Sequence, residues 1–316
     1  MFKGINAIEF GKRFYNNESC YVYLVENKWG KGFSCSRCGH EKYYKGKTWY
    51  HRKCRHCGYS ESVTANTIFH GMKMPVLKAF HMIFRLTAKK KGMSTVELGN
   101  EVDVQQKTAW LLKRKVQVAM KQNDNQKLKG SVDADETLVG GYTNKNKGRS
   151  LESKEAILLA AEKLPDGRTG NIRMKHIENF EALTLKYALK DMIDDKATIT
   201  TDNFTSYQQL KKEMKIQTVL SNKGQSMEEL HKQIMQFKNW LRGTHHKCSE
   251  QHLFAYADEY VFRFNRRNNR KTIFQKVIDK MMKQIPFPYP LLKTLYPYST
   301  ESYIIICPII FKVNAV

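Results

Sequence analysis

Two pairs of closely spaced cysteines constrain the fold of this chain more than any other feature. Cys35 and Cys38 form one Cys-x-x-Cys knuckle, Cys54 and Cys57 form a second, and a glycine follows each knuckle. Four thiolates supplied by two tight turns are the ligand set that tetrahedral zinc prefers. The spacing therefore predicts a zinc ribbon. Two disulfides are the alternative, which is disfavoured because nothing else in the sequence indicates secretion.

The chain is strongly basic. Its 316 residues include 54 Lys and Arg against 30 Asp and Glu, which gives a formal charge of +24. Such a surplus repels itself unless an anionic partner neutralises it, and nucleic acid is the partner that it favours. A protein bound to a membrane surface is the competing interpretation, but no separate lysine-rich amphipathic helix supports it. His40 and His56 adjoin the knuckles, and we expect them to face solvent or DNA rather than to bind zinc.

The termini and the remaining cysteines predict a soluble, cytoplasmic protein with no membrane partner. The first residues lack the apolar stretch of a signal peptide. Residues 303–311 are apolar, but they are too few to span a bilayer as a helix, and Pro308 interrupts them. Cys20, Cys248 and Cys307 are isolated, as expected in a reducing compartment.

Changes of sequence pattern predict separate domains. Residues 1–72 are aromatic and turn-rich around the cysteines, as in a zinc ribbon. Residues 73–122 are helical in pattern, and Ser94 with Glu97 predicts a capping box at the start of a short helix. A turn then leads into a second helix from Val104, an order that is typical of a helix-turn-helix.

The start of this second helix is the candidate for DNA recognition. The first residues of a recognition helix contact base edges in the major groove. Here they are Gln105, Gln106, Lys107 and Thr108. An ordinary helical hairpin is the alternative, because the motif is loosely defined.

A polar linker at 121–130 precedes a region, 131–285, in which strands and helices alternate. Three strands of antiparallel character come first, then alternating helices and strands, and finally long helices. This order predicts an RNase H-like mixed sheet flanked by helices. The fold class is therefore multidomain, combining α+β and α/β parts, with a tail at 286–316.

Two aspartates in this region predict a second metal site. Asp135 lies within one strand, and Asp202 lies at the carboxyl end of another. If the strands are neighbours, the two carboxylates can hold two Mg²⁺ or Mn²⁺ ions and cleave a phosphodiester. The alternative is that Asp135 pairs with a lysine and that Asp202 caps the next helix. Asp133 shares the strand face of Asp135, whereas Glu136 points to the opposite face.

Several separated motifs carry a resemblance to a known family over residues 10–286. The motifs are CSRCG, CRHCG, SVTANTIFHGMKMP, KTAW, VDADETLVGG, TDNFTSY and LRGTHHKCSEQHLFAYADEYVFRFNRRN. In these motifs and their order, the chain resembles bacterial insertion-sequence transposases with an N-terminal zinc ribbon and an ISXO-like catalytic domain. The resemblance implies a DDE-type recombinase that binds the terminal inverted repeats of its element and cuts and joins double-stranded DNA. It also implies that the first two catalytic aspartates are Asp135 and Asp202.

The third catalytic position departs from the common pattern of the superfamily. That pattern has a glutamate seven residues before a lysine; Lys238 matches the lysine, but His231 stands at the glutamate position. Related subgroups carry histidine or asparagine there, and neutral histidine can bind a divalent metal. Glu228, one helical turn earlier, could replace it only if the helix shifted along its axis.

Basic residues near the end of the last motif are candidates for phosphate contacts. Arg263 has an alternative role, because it could pair with Glu259 one helical turn away. The pair His245 and His246 is expected to support the site by hydrogen bonding. The candidate DNA contacts outside the recognition helix are Lys238, Arg242, Arg263, Arg266 and Arg267.

These features predict a transposase that acts as a dimer or larger assembly on DNA, in the cytoplasm and associated with the nucleoid. The main rival is a zinc-ribbon DNA-binding protein without catalysis, either a regulator or a degenerate transposase. A second rival is an RNase H-like repair nuclease, which would not need terminal repeats.

Overall fold

The computed structural model describes most of the chain as two compact units. One unit contains Met1–Met120 with Arg266–Tyr289, and the other contains Lys121–Asn265. The described residues are 2–4, 6–122, 126–140, 154–220, 226–245 and 250–289. His246, Cys248, Cys307, the apolar segment 303–311 and all but the first residues of the predicted tail lie outside these ranges.

The zinc-ribbon region is a small antiparallel sheet that follows two helices, α1 (Ala7–Arg13) and α2 (Asn17–Trp29). Its strands run in the order β1-β2-β3. The glycines after the knuckles adopt left-handed backbone conformations, with φ of 75° at Gly39 and 70° at Gly58, which residues with a Cβ rarely adopt. The strands are β1 (Tyr43–Lys45), β2 (His51–Cys54) and β3 (Ser60–Ser62).

Three helices follow the ribbon in the first unit: α3 (Val76–Ala88), α4 (Thr95–Val102) and α5 (Gln106–Met120). They pack against one another, as a helix-turn-helix requires. Within α4, a Cβ on Gly99 would lie 2.7 Å from the carbonyl oxygen of Val104 in the turn before α5, so the close approach needs glycine. The second helix begins at Gln106, two residues later than predicted, because Val104 still belongs to the turn.

The predicted capping box at α4 forms only in part. The Ser94 hydroxyl accepts a hydrogen bond from the Glu97 amide at 3.2 Å, which is the first half of the motif. The Glu97 carboxylate lies 2.7 Å from Lys89. The side chain of Glu97 is therefore engaged by a cation of the preceding turn.

The helix α10 (Ile273–Lys283) belongs to the first unit, although its residues lie within the region 131–285 that the sequence assigned to the catalytic domain. Its buried face contributes Phe274 to an aromatic cluster with Phe10, Phe14 and Phe84, whose ring centroids lie 5.6–6.3 Å from that of Phe274. The apolar stripe of α10 is visible in the sequence, but its packing partner, some 190 residues or more away along the chain, is not.

The second unit contains a mixed sheet in the order β6-β5-β4-β7-β8. In this unit β4 with β5 and β5 with β6 pair antiparallel, whereas β4 with β7 and β7 with β8 pair parallel. This topology is consistent with an RNase H-like domain and confirms the fold class predicted from the sequence. The strands are β4 (Ser131–Gly140), β5 (Lys154–Lys163), β6 (Thr169–Ile177), β7 (Thr198–Asp202) and β8 (Ile216–Val219).

Helices cover both faces of this sheet and distinguish them. One face packs against α6 (Ala182–Met192) and α7 (Thr205–Leu210), and its core includes Val132 and Ala134 of β4. The other face packs against α8 (Glu228–Thr244) and α9 (Glu250–Phe264). Because side chains alternate along a strand, the odd-numbered residues of β4 face α8 and α9.

Across the described ranges, none of the helices combines the length and the apolar character needed to cross a bilayer.

Candidate active site and metal centre

The four knuckle cysteines converge on one point. Their sulfurs all lie within 4.8 Å of one another, with Cys35 Sγ 3.7 Å from Cys57 Sγ and Cys38 Sγ 3.6 Å from Cys54 Sγ. A tetrahedron with Zn–S bonds of about 2.3 Å has edges of about 3.8 Å, so these spacings fit zinc. A disulfide bond is about 2.05 Å long, so these longer distances, with none of the four cysteines disulfide-bonded, contradict the disulfide alternative.

A buried ion pair fixes the first knuckle against α2. The Glu61 side chain is 1% exposed and accepts from the Lys28 ammonium at 2.6 Å. It also accepts from the Ser36 hydroxyl, at 3.0 Å, within the first knuckle. In the second knuckle, the His56 amide donates to Cys54 Sγ at 3.4 Å, a contact that stabilises a thiolate ligand.

Asp135 and Asp202 occupy neighbouring positions on adjacent parallel strands. The parallel ladder of β4 and β7 pairs Asp133 with Thr200. Two residues further along both strands, Asp135 comes beside Asp202, at the edge where β7 ends. Adjacent strands are about 4.8 Å apart, and residues two apart share a face. Both carboxylates therefore lie on the α8 side of the sheet.

His231 of α8 lies over this pair of aspartates. Its Nδ1 is 3.8 Å from Asp135 Oδ2. Burial lowers the pKa of His231, and the charge of Asp202 opposes that shift, so the ring is also close enough to Asp202 to interact with it. Its Nε2 is buried and has no hydrogen-bond partner among the described residues. A neutral imidazole with an unsatisfied nitrogen beside two carboxylates is a suitable metal ligand.

Lys238 extends the site along the same face of α8. Burial is the main factor that lowers the pKa of Lys238; nearby Arg242 and Lys154 lower it further, and Asp135 opposes them. The lysine therefore lies within electrostatic range of the carboxylates and of two other cations. Lys154, at the start of β5, was missed by sequence reasoning because its segment gave no motif.

The sequence left open whether Asp135 pairs with a lysine and whether Asp202 caps the next helix. The hydrogen bonds of the two aspartates bear on both alternatives. Asp202 Oδ1 accepts from the Phe204 amide at 3.1 Å, so Asp202 does support the turn before α7. Asp135 Oδ1 accepts from the Glu136 amide at 2.8 Å, and Asp135 Oδ2 faces His231. Each aspartate thus uses one oxygen locally, and these bonds orient both carboxylates.

Carboxylate oxygens and a neutral imidazole, as in Asp135, Asp202 and His231, are ligand types that bind divalent cations. Among the described histidines, cysteines, aspartates and glutamates, the cysteine quartet is the one group of three or more whose ligand atoms all lie within 4.8 Å of one another. At least one pair of ligand atoms among Asp135, Asp202 and His231 is therefore farther apart than 4.8 Å.

Thr200 lies on the same face of the sheet as the acidic pair, and Tyr207 lies on the opposite face. Burial raises the pKa of Asp133. The charge of Lys163 and a hydrogen bond from the Thr200 hydroxyl oppose this shift but are smaller. On the opposite face, Tyr207 is fully buried, and its pKa is raised well above the usual value by burial and by nearby Glu136. Strand parity could have identified Thr200, which lies two residues before Asp202. The placement of Glu136 agrees with the parity prediction.

The candidate DNA contacts differ in exposure. Gln105, Gln106 and Lys107 are exposed at the start of α5, and Thr108 is half-buried. Arg242 is exposed, whereas Arg266 and Arg267 are half-buried in the other unit.

Arg263 pairs with Glu259, which is the alternative role inferred from the sequence. Its side chain is 10% exposed, and its Nε lies 4.0 Å from Glu259 Oε1. This pairing leaves little of the guanidinium for a phosphate. The structure therefore favours the ion pair with Glu259 over a phosphate contact for Arg263.

Two family models match the chain. The ISXO2-like transposase domain matches residues 127–265, which include Asp135, Asp202 and His231. The transposase zinc-ribbon domain matches residues 15–60, which include all four knuckle cysteines. No curated protein matches the chain significantly. The two matched segments together cover more than half of the chain, and they identify it as a member of the insertion-sequence transposases that join an N-terminal zinc ribbon to an ISXO2-like transposase domain.

Proposed function

We propose that this transposase is a catalytically active DDE-type enzyme that binds the terminal inverted repeats of its element and cleaves and joins DNA strands with Mg²⁺ or Mn²⁺. Two observations carry the proposal. Asp133 pairs with Thr200 two residues before Asp135 and Asp202 on parallel strands, and His231 Nδ1 of α8 lies 3.8 Å from Asp135 Oδ2. A sheet interior has no structural need for two neighbouring carboxylates, since their charges repel.

The residues of the site divide the chemical work. Asp135 and Asp202 hold the cations, and His231, kept neutral by burial, completes the ligand set. Bound divalent cations supply a lowered pKa for the attacking water or 3′-hydroxyl and neutralise charge on the departing oxygen. Lys238 and Arg242 position the scissile phosphate beside the carboxylates. Water would attack the phosphorus at the element end and break the P–O3′ bond, which leaves a 3′-hydroxyl and a 5′-phosphate. That 3′-hydroxyl would then attack a phosphorus of target DNA and displace a target 3′-hydroxyl as a new P–O bond forms.

We propose that the protein acts as a homo-oligomer on the nucleoid. Both ends of an element must be cut together, and each described chain supplies one Asp135–Asp202 pair. A dimer is therefore the smallest assembly that holds one such pair at each end.

Substituting His231 tests the third catalytic position. His231→Ala should lower strand cleavage of the element ends by about 100-fold or more, because one ligand is lost. His231→Glu should retain most of the activity, because a carboxylate suits Mg²⁺. A gel assay of cleaved end-labelled duplex measures both.

Glu228 provides the matched control on the same helix. Its side chain is 69% exposed and pairs with Lys232 at 2.8 Å, so Glu228→Ala should leave cleavage within about twofold of wild type. Equal activity of His231→Ala and wild type would remove His231 from the site. Absence of cleavage by the wild type under all conditions, with DNA binding intact, would favour the non-catalytic rival.

Substituting Gln106 tests recognition of the terminal repeats. A glutamine that reads a base edge contributes about 1–3 kcal/mol of discrimination, so Gln106→Ala should weaken binding to the element end by about 10- to 100-fold. Binding to a shuffled duplex should stay unchanged. Gel-shift titrations with both duplexes measure the ratio, and Gln217→Ala, an exposed glutamine of β8, is the control. If Gln106→Ala left the ratio of the two affinities unchanged, Gln106 would not contact a base edge.

A further inference from the structure

The zinc ribbon carries a basic surface that the recognition helix and the catalytic site do not include. Residues 42–60 contain six Lys and Arg and no Asp or Glu. Lys42, Lys53 and Arg55 are exposed, and none of the ion pairs among the described residues involves them.

Strand pairing places these cations on one face of the ribbon sheet. Tyr44 pairs with Lys53, and Lys53 pairs with Ser60, so the three side chains project from the same face. Lys42 and Arg55 have the same parity as these residues. We call the surface formed by Lys42, Tyr44, Lys53, Arg55 and Ser60 the outer face of the ribbon.

The opposite face of the ribbon sheet carries the zinc ligand Cys54 and the packed side chains of Arg52 and Glu61. Cys54 pairs with Tyr43, and Arg52 pairs with the buried Glu61. The Arg52 guanidinium lies 3.8 Å from the Tyr43 ring centroid and 4.7 Å from that of Trp29. Aromatic rings therefore hold the Arg52 guanidinium on that face, although Lys45, which pairs with Arg52, is exposed there. The outer face carries three exposed cations, Lys42, Lys53 and Arg55.

The outer face also holds its arginine in a fixed position. Arg55 lies 4.6 Å from the ring centroid of Tyr44, which is 56% exposed. Its Nε donates to the Tyr43 carbonyl at 3.3 Å, and its amide donates to the Lys42 carbonyl at 3.0 Å. An arginine ordered by stacking loses less conformational freedom when it binds a phosphate.

We propose that the outer face of the ribbon binds the phosphate backbone of duplex DNA, with Lys42, Lys53 and Arg55 as the phosphate contacts and Tyr44 packed beside the sugar. The positive charge of the face complements the phosphates of the DNA backbone. This inference rests on the proposed function, because it assigns the ribbon the sequence-independent part of end binding and leaves base reading to α5.

The salt dependence of binding tests this assignment. Each phosphate contact contributes about 0.9 to the slope of log affinity against log salt concentration. In the full-length, zinc-loaded protein, Lys42→Ala/Lys53→Ala should reduce the magnitude of that slope by about 1.8. Its affinity deficit at 50 mM salt should then exceed that at 200 mM by about tenfold. Fluorescence anisotropy with labelled 30-base-pair duplexes measures both, and an element end and an unrelated sequence should give the same reduction.

Lys12→Ala/Lys276→Ala is the matched control, since it removes two exposed lysines outside the ribbon from the same unit. Its slope should stay close to that of the wild type, and the zinc content of both variants should equal that of the wild type. Equal slopes in the ribbon variant and the control would overturn the inference while leaving the transposase proposal intact. Tighter binding of the outer face to a poly-glutamate chain than to duplex DNA would also overturn it. Failure of the wild type to bind any duplex would instead count against the proposed function.

Discussion

Asp135→Asn and Asp202→Asn are each expected to lower strand cleavage by at least about 1000-fold, the largest effect on activity that we predict. The two aspartates lie on adjacent interior strands, each two residues beyond the paired Asp133 and Thr200, and a neutral amide cannot replace a carboxylate that holds a divalent cation. A loss of this size corresponds to about 4 kcal/mol of transition-state stabilisation. Single-turnover cleavage of a labelled element end measures it.

Binding and stability controls separate catalysis from folding in these variants. Removing one of two neighbouring negative charges relieves repulsion, so neither substitution should lower the unfolding temperature or the affinity for the element end. Asp195→Asn, at an exposed aspartate before β7, should cleave at the wild-type rate. Wild-type cleavage by Asp135→Asn would reject the catalytic assignment.

Loss of zinc is expected to have the largest effect on folding. The ribbon sheet consists of strands of three, four and three residues, too short to be stable alone. Structural zinc contributes about 10–16 kcal/mol of apparent binding free energy in small zinc domains at pH 7. Cys54→Ser should therefore lose the metal and unfold the ribbon, and the affinity for element ends should fall with it.

The measurements for this prediction are zinc content by mass spectrometry and protease sensitivity of residues 31–72. Cys20→Ala is the control, because Cys20 is buried in α2 outside the quartet; it should retain one zinc per chain. Stoichiometric zinc in Cys54→Ser would show that the quartet is not the binding site.

The features that the sequence predicted best depend on local spacing. A pair of Cys-x-x-Cys knuckles determines its ligand geometry within two turns, and strand parity alone put Asp133 and Asp135 on one face and Glu136 on the other. The RNase H-like fold class followed from the succession of strands and helices, because short connections restrict topology.

The features that the sequence did not predict depend on distant partners. The packing of α9 decides whether the Arg263 side chain contacts DNA or Glu259. The spacing of the two residues in the sequence allows either. Likewise, the apolar face of α10 fits many hydrophobic surfaces, and only the folded chain shows that Phe274 joins Phe10 and Phe14. The approach of His231 to Asp135 also required the position of α8 on the sheet.

The central claim is that Asp135 and Asp202 jointly bind divalent cations, and Mn²⁺ uptake measures this most directly. Full-length protein on an element-end duplex is titrated with Mn²⁺, free Mn²⁺ is followed by electron paramagnetic resonance, and uptake by the duplex alone is subtracted. We predict two Mn²⁺ per active site that Mg²⁺ displaces, and loss of this uptake in Asp135→Asn/Asp202→Asn. Undiminished, Mg²⁺-displaceable uptake in the doubly substituted protein would contradict the claim.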